Sequence, residues 1–435
     1  MRALDAAQPQ AAPAAAAAEP AQAAAPAPSG SVAQRQLTLE LLAPEAADAS
    51  QAPVPPTDAA ANHPRVAAQP GPEKSTEPAP TPSSSPVELT PELIALRDKV
   101  RRVLALYYPK HQNARDNNCW EVMHAIIAYG VETQIYKDKP GGDKVNAIGW
   151  LCFNYPCAGD RMMFLNNGKI EARRGVGVQG HYGQFLAILA QSHLKADYPM
   201  YVSGKQFTLQ DLIEHEKENC TAGEELTFKL IALMHYLDSD ATWKTRDGQD
   251  WSIQRLVREE LAQPIRGAAC GGTHRLMGFS YAVNKRQQRG KPMVGEFRRA
   301  QIFINDYHRY TFGLQNPDGS FSTEWFVRKG SDPSIDRRLK TSGHILEWIS
   351  FSLSDDELRE PRMMKAVDYV ASILEANDKH TWEIGPLGHG LHALAIYDSR
   401  VFKPADPPKP TAAVVETSAE PQPAVEARRT DGAVQ

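Results

Sequence analysis

Imidazoles recur along the chain just behind a glycine. Gly180-His181, Gly272-Thr273-His274, Gly343-His344 and Gly388-His389 each open onto an apolar-periodic run, and Ala222-Gly223-Glu224 puts a carboxylate in the same place. Imidazole beside carboxylate is the raw material of general acid–base catalysis. His274 and Glu224 are the catalytic candidates. His181, His344 and His389 are the candidate ligand-binding residues, with Trp120 or Cys119 in a sixth position. If each residue stands in the first turn of a helix, six positive helix ends also point the same way, which favours an anion or a developing negative charge. Three His and one Glu could equally ligate zinc. Ligands spread evenly round a ring stand too far apart to share one ion, so neither a metal nor another cofactor is expected. A purely structural use competes with both, because a His in the first turn can cap a neighbouring hairpin.

Other candidate groups have simpler readings. Cys270 and His274 invite a thiol–imidazole pair, yet on one helix turn they need not face each other. Cys220 stands in the corresponding place with no His nearby, which favours a small buried thiol. His124 and His392 lie among apolar residues and read as core histidines with a backbone partner. Lys285-Arg286-Gln287-Gln288-Arg289 reads as a solvated basic run at a helix end.

These residues need elements to hold them. Thr90-Pro91-Glu92 starts a helix, with Thr90 as cap and Pro91 at the first helical position, and Leu93, Leu96, Val100, Val103 and Tyr107 then keep helical spacing. A more uniformly apolar helix is expected from about Asn118 to Ala128. Residues 138–180 are the least helical part, and Asn166-Asn167-Gly168 between two short apolar runs predicts a small β-hairpin. Residues 204–213 match 248–257 position by position at an offset of 44, each with an aromatic (Phe207, Trp251) ahead of a Thr or Ser cap. Inner, more apolar helices fit near 118, 180, 223, 272, 343 and 388. Amphipathic partners fit at 91–107, 208–219, 250–263, 294–313 and 360–376, with none visible before His181. The expected fold is all-α: an (α/α)6 toroid of six helical hairpins with a small β-hairpin insertion, flanked by disordered arms.

Composition sets the boundaries. Residues 1–90 hold 27 Ala and 16 Pro without one aromatic, and residues 403–435 are likewise free of aromatics. All 34 aromatic residues and all five Cys fall between 91 and 402, so only that stretch can bury a core. The division expected is a disordered arm over 1–89, a toroid domain over 90–403 and a disordered tail over 404–435. Leu37–Leu42 reads as a local fluctuation within the first arm. A formal charge of −4 gives no reason to expect nucleic acid or an anionic membrane. No signal-peptide pattern or membrane-spanning run is visible, which leaves a cytoplasmic location as the default expectation. Reduced, buried thiols are expected in preference to a Cys152–Cys157 disulfide.

Leu314-Gln315-Asn316-Pro317-Asp318-Gly319-Ser320-Phe321 resembles the Gln-x-x-x-Gly-x-Trp repeat of the squalene–hopene and oxidosqualene cyclases, with Phe321 in place of Trp. The six-hairpin layout is similar to the toroids of that family and of the protein prenyltransferases. The resemblance implies a fold over roughly 91–402 and a small, largely apolar ligand, with an isoprenoid as the type. It implies no catalytic residue. Asp238-Ser239-Asp240-Ala241-Thr242 lacks the third Asp of the cyclase acid motif and reads as a surface turn, and the prenyltransferase zinc set has no counterpart. Gln315–Phe321 itself reads as structural, with Asp318-Gly319 turning and Phe321 packing between hairpins. Two other classes stay open: an (α/α) toroid that binds or cleaves a glycan, and a non-enzymatic recognition scaffold.

Overall fold

The computed structural model describes residues 89–402. The expected arms and the Leu37–Leu42 segment lie outside the described residues. The described chain is mostly helical, with twelve α-helices and four two-stranded antiparallel hairpins. Its buried apolar side chains form one continuous cluster running from Leu93 to Phe402.

The first helix, α1 (Pro91–Tyr107), starts as its sequence dictates. Thr90 Oγ1 accepts from the Leu93 amide at 3.3 Å, and Leu93, Leu96, Val100, Val103 and Tyr107 are buried on one face. α2 (Cys119–Tyr129) begins with a reciprocal capping box between Asn118 and Glu121 and buries most of its surface. The hairpin predicted around Asn167-Gly168 is present as β3 (Met163–Asn166) and β4 (Lys169–Ala172). Both turn residues have positive φ, 50° and 79°, as a two-residue turn of this kind requires.

Three further hairpins are corrections to the all-α expectation. β1 (Gln134–Tyr136) pairs with β2 (Lys144–Asn146), β5 (Pro199–Val202) with β6 (Lys205–Thr208), and β7 (Thr242–Lys244) with β8 (Asp250–Ser252). The offset of 44 residues relates the last two. Phe207 and Trp251 are both second-strand residues, facing Met200 and Trp243, and each strand runs straight into a capped helix. Those helices are α5 (Leu209–Glu218) and α7 (Ile253–Leu261). The helix missing from the sequence reading is α3 (Ala147–Cys152), only six residues long and almost wholly apolar, so it offers no amphipathic period to read.

The remaining helices are α4 (Gln184–Gln191), α6 (Thr227–Tyr236), α8 (Thr273–Gln288), α9 (Gly295–Gly313), α10 (Ile335–Ser352), α11 (Pro361–Ala376) and α12 (Ile384–Val401). The even-numbered helices pack on one another in chain order, α2 on α4, α4 on α6, α6 on α8, α8 on α10 and α10 on α12. α12 packs back on α2. α6 is buried continuously from Thr227 to Met234, whereas α7 buries one stripe of Ile253, Leu256, Val257, Glu260 and Leu261. α9 packs on α7 and α8, and α11 packs on α1, α10 and α12.

Two glycines that precede histidines serve this packing. A Cβ on Gly343 of α10 would lie 3.1 Å from the Gly390 Cα of α12, and one on Gly388 of α12 would lie 2.3 Å from the His124 carbonyl of α2. Both helix pairs therefore approach at backbone distance. The histidines that follow are not first-turn residues, contrary to the sequence reading. His344 lies in the middle of α10, His389 in the second turn of α12, and His181 in the loop before α4. Only His274, in the first turn of α8, stands where the helix-dipole argument applies.

The Gln315–Phe321 loop is structural, as expected. Gln315 Nε2 donates to the Gly319 and Arg362 carbonyls at 3.1 and 3.0 Å, and Phe321 is buried. Asp238 and Asp240 form ion pairs with Lys291, and Asp240 also with Arg286 at 2.6 Å. Arg286 is itself buried, so the run at 285–289 is not simply solvated. No disulfide joins any of the five cysteines; Cys152 and Cys157 are buried thiols.

Candidate functional site

The histidines converge. The His344 ring lies 3.9 Å from the His389 ring, and His274 stands 5.5 Å from His344 and 5.0 Å from His389, centroid to centroid. His124 is 5.5 Å from His389, and His181 is 6.5 Å from His274. Five imidazoles contributed by α2, the loop before α4, α8, α10 and α12 thus meet at one centre. His124, expected to be an ordinary core residue, is one of them.

Helical spacing explains the carboxylate in their midst. Glu347 follows His344 by three residues on α10, and His392 follows His389 by three on α12, so each pair shares a helix face. His389 Nδ1 donates to Glu347 Oε2 at 2.8 Å, and His392 Nδ1 donates to Oε1 at 2.5 Å. Burial alone would raise the Glu347 carboxyl, but His389 and His392 hold it well below the usual range. His392 therefore has a carboxylate partner and not the backbone partner expected.

Backbone acceptors fix two more rings. His344 Nδ1 lies 2.7 Å from the Lys340 carbonyl and His124 Nδ1 lies 2.6 Å from the Trp120 carbonyl. A carbonyl only accepts, so each Nδ1 carries the hydrogen and each Nε2 keeps its lone pair. Burial, reinforced by the neighbouring His389, pushes His344 and His274 well below the ordinary histidine range and His124 to about 3. These rings are neutral bases at physiological pH.

At the more open side, His181 Nδ1 lies 2.6 Å from Glu225 Oε2. Burial raises the Glu225 carboxyl, yet its hydrogen bond with His181 leaves it below the usual value. The predicted carboxylate was the preceding residue. Glu224 is exposed in the turn whose amide closes on Thr221, and this turn swings Glu225 inward. Glu224 lies outside the cluster, and Glu225 takes its place. Gly183, with φ of 76°, lets this loop lie against Lys229 of α6, where a Cβ would come within 3.0 Å.

The Cys-Gly-Gly segment explains how α8 delivers its groups. Cys270, Gly271 and Gly272 all have positive φ, 50°, 65° and 84°. A Cβ on Gly271 would enter the Trp325 ring at 2.3 Å, and one on Gly272 would meet the Ile265 carbonyl at 2.4 Å. Only glycine fits either place, and Cys270 accepts left-handed strain of about 1–2 kcal/mol to complete the turn. That turn places the Cys270 sulfur and one nitrogen each of His274 and His344 within 4.8 Å of one another. Thiol and imidazole therefore do face the same point, against the expectation from sequence. Below them, Glu260 accepts from Arg275 Nε at 3.0 Å and from the Leu226 amide at 2.7 Å, locking the starts of α6 and α8 together.

Aromatic side chains frame the centre. Trp120 packs 3.9 Å from the His124 ring, Phe228 lies 5.0 Å from His181 and 5.1 Å from His274, and Trp325 stands edge-on 5.7 Å from His344. Trp325 carries no sequence signal, since its φ of 55° depends on the loop fold. A hollow beside Tyr107, His111 and Leu391 and a groove beside Trp243, Trp251 and Arg255 involve none of the cluster residues. Compared with family models, with curated proteins and with solved structures, the chain matches none, so the reading of this centre rests on its own geometry.

Proposed function

We propose that the domain is an (α/α)6 toroid whose histidine centre is the working site of an enzyme that acts on a small molecule by proton transfer. The cyclic packing order of the even-numbered helices supports the toroid. The observation that carries the functional reading is the His181–Glu225 pair at 2.6 Å, on the more open side of the histidine cluster. Its Nδ1–H is held by the carboxylate, which leaves Nε2 to accept a proton and keeps Glu225 in place to stabilise the imidazolium that forms. Trp120, Phe228 and Trp325 would take an apolar or flat part of the ligand. This is the ligand type that the cyclase resemblance implies.

A sugar is the second reading, favoured by two stacked pairs. The Arg174 guanidinium lies 4.4 Å over Tyr182, next to His181, and that of Arg337 lies 5.6 Å over Trp325. Screening isoprenoid alcohols, isoprenoid diphosphates and oligosaccharides for turnover and for quenching of tryptophan fluorescence separates the two. A productive ligand should quench fluorescence in the native chain, and its turnover should vanish in His181→Asn and Glu225→Gln while melting stays nearly unchanged. Turnover that persists in both variants would remove this reading.

A further inference from the structure

We infer that Cys270, His274 and His344 form a binding site for a zinc-class divalent metal ion. The three donors are brought together independently of the His181–Glu225 pair. In a tetrahedral zinc site the metal–sulfur and metal–nitrogen distances of about 2.3 and 2.0–2.1 Å put neighbouring ligand atoms about 3.4–3.6 Å apart. The three donor atoms here already lie within 4.8 Å of one another, so shifts of roughly 1 Å or less close the set.

Their chemical state suits a metal as well as their spacing does. His344 holds its Nδ1 hydrogen on the Lys340 carbonyl, which turns the ring's remaining donor, Nε2, into the ligand atom. The His274 ring lies 5.5 Å from that of His344, centroid to centroid, so the two imidazoles reach toward one point. The donors come from different elements: Cys270 from a strained turn, His274 from the first turn of α8, and His344 from the middle of α10. A purely structural thiol needs no such turn. Gly271 under Trp325 and Gly272, which caps α8 against Ile265, form the turn that brings Cys270 round toward the imidazoles.

One soft thiolate and two imidazoles select zinc, or cobalt as its spectroscopic substitute, over magnesium and calcium, which take oxygen ligands. Three protein ligands leave a fourth tetrahedral position, as metal sites that take part in reactions do. His389 lies beside both ligand imidazoles and is tied to Glu347 through Nδ1. This corrects the sequence-based view that the ring histidines stand too far apart to share an ion.

The test uses the full chain, purified without chelator and analysed for metal, then stripped and titrated with zinc and with cobalt(II). The native chain should hold about one zinc. Its cobalt form should show a thiolate-to-cobalt charge-transfer band with visible bands of tetrahedral intensity. Cys270→Ser keeps the size of the side chain at a partly exposed position; it should lose the charge-transfer band and bind at least tenfold more weakly. His181→Asn should keep the native stoichiometry and spectrum, so that failure of the proton-transfer reading and failure of this one are told apart. A native chain that holds no zinc after loading overturns the inference. So does a Cys270→Ser chain with native affinity and an unchanged cobalt spectrum.

Discussion

Glu347 Oε2 accepts from His389 Nδ1 at 2.8 Å, inside the domain and between two helices that touch at glycine distance. One carboxylate also holds His392, so a single buried charge orients two imidazoles on α12 from its place on α10. Taking away one partner of such a group leaves buried polar atoms without an acceptor, which costs more than the pair contributes when intact. Glu347→Gln keeps the shape but presents an N–H to one of the two ring N–H groups. Chemical denaturation should find it less stable by about 3–5 kcal/mol. A loss under about 1 kcal/mol would mean that the carboxylate is not the organiser of this interface.

The glycines ahead of the histidines should respond in order of clearance. In a helix interior Ala normally gains about 0.5–1 kcal/mol over Gly. At Gly388 the new methyl would sit 2.3 Å from a backbone carbonyl, which cannot swing aside, so Gly388→Ala should destabilise by about 1–3 kcal/mol. Gly343→Ala, at 3.1 Å from the Gly390 Cα, should cost clearly less. Equal effects at the two positions, read from urea unfolding midpoints, would contradict the packing described.

Stability should fall in mild acid, and His308 should account for part of the fall. Its Nε2 meets Ser352 Oγ at 2.7 Å and its ring stacks on Trp348, with burial the main cause of a value lowered from 6.5 to about 4. Between those two values the unfolded chain binds a proton that the native chain does not, so stability is complete above about pH 6.5 and is lost as pH falls toward 4. One such group contributes a slope of at most about 1.4 kcal/mol per pH unit, less here because the ring is partly exposed. His308→Gln should flatten the pH dependence of the unfolding free energy in that window. Parallel curves for the two proteins would show that His308 is not a buried neutral base.

Adjacent glutamates should behave differently. Glu225→Gln should shift the His181 imidazole resonances, because it changes the group on Nδ1, and Glu224→Gln should leave them where they are. If the Glu224 variant moves them and the Glu225 variant does not, the turn after Thr221 is folded otherwise.

Much of the scaffold was legible in the sequence. The 3.6-residue period marked α1 at its true limits, Asn167-Gly168 marked a hairpin, and the offset of 44 marked two equivalent units. Short apolar α3 and the strands holding Phe207 and Trp251 were not legible, since a few apolar residues have no readable period. At the site, the Gly-His spacing pointed to His181, His274, His344 and His389, but for the wrong reason. It marks close helix contacts at Gly343 and Gly388, and only His274 stands in a first helical turn as the sequence implied. Glu347 and Glu225 come from helical phase and turn geometry, which one residue of error in a helix start conceals. Cys270 and Trp325 depend on left-handed backbone that only the folded loops impose.

The central claim is that the converging histidines form a site and are not there for stability alone. His274→Asn tests it most directly, because it removes one imidazole near the middle of the cluster and leaves a side chain that is tolerated in the first turn of a helix. Melting of the metal-stripped proteins and cobalt binding by each should be measured side by side. The account predicts nearly equal melting temperatures and a variant that loses tetrahedral cobalt binding. A variant that melts far lower yet binds cobalt as the native chain does would contradict it.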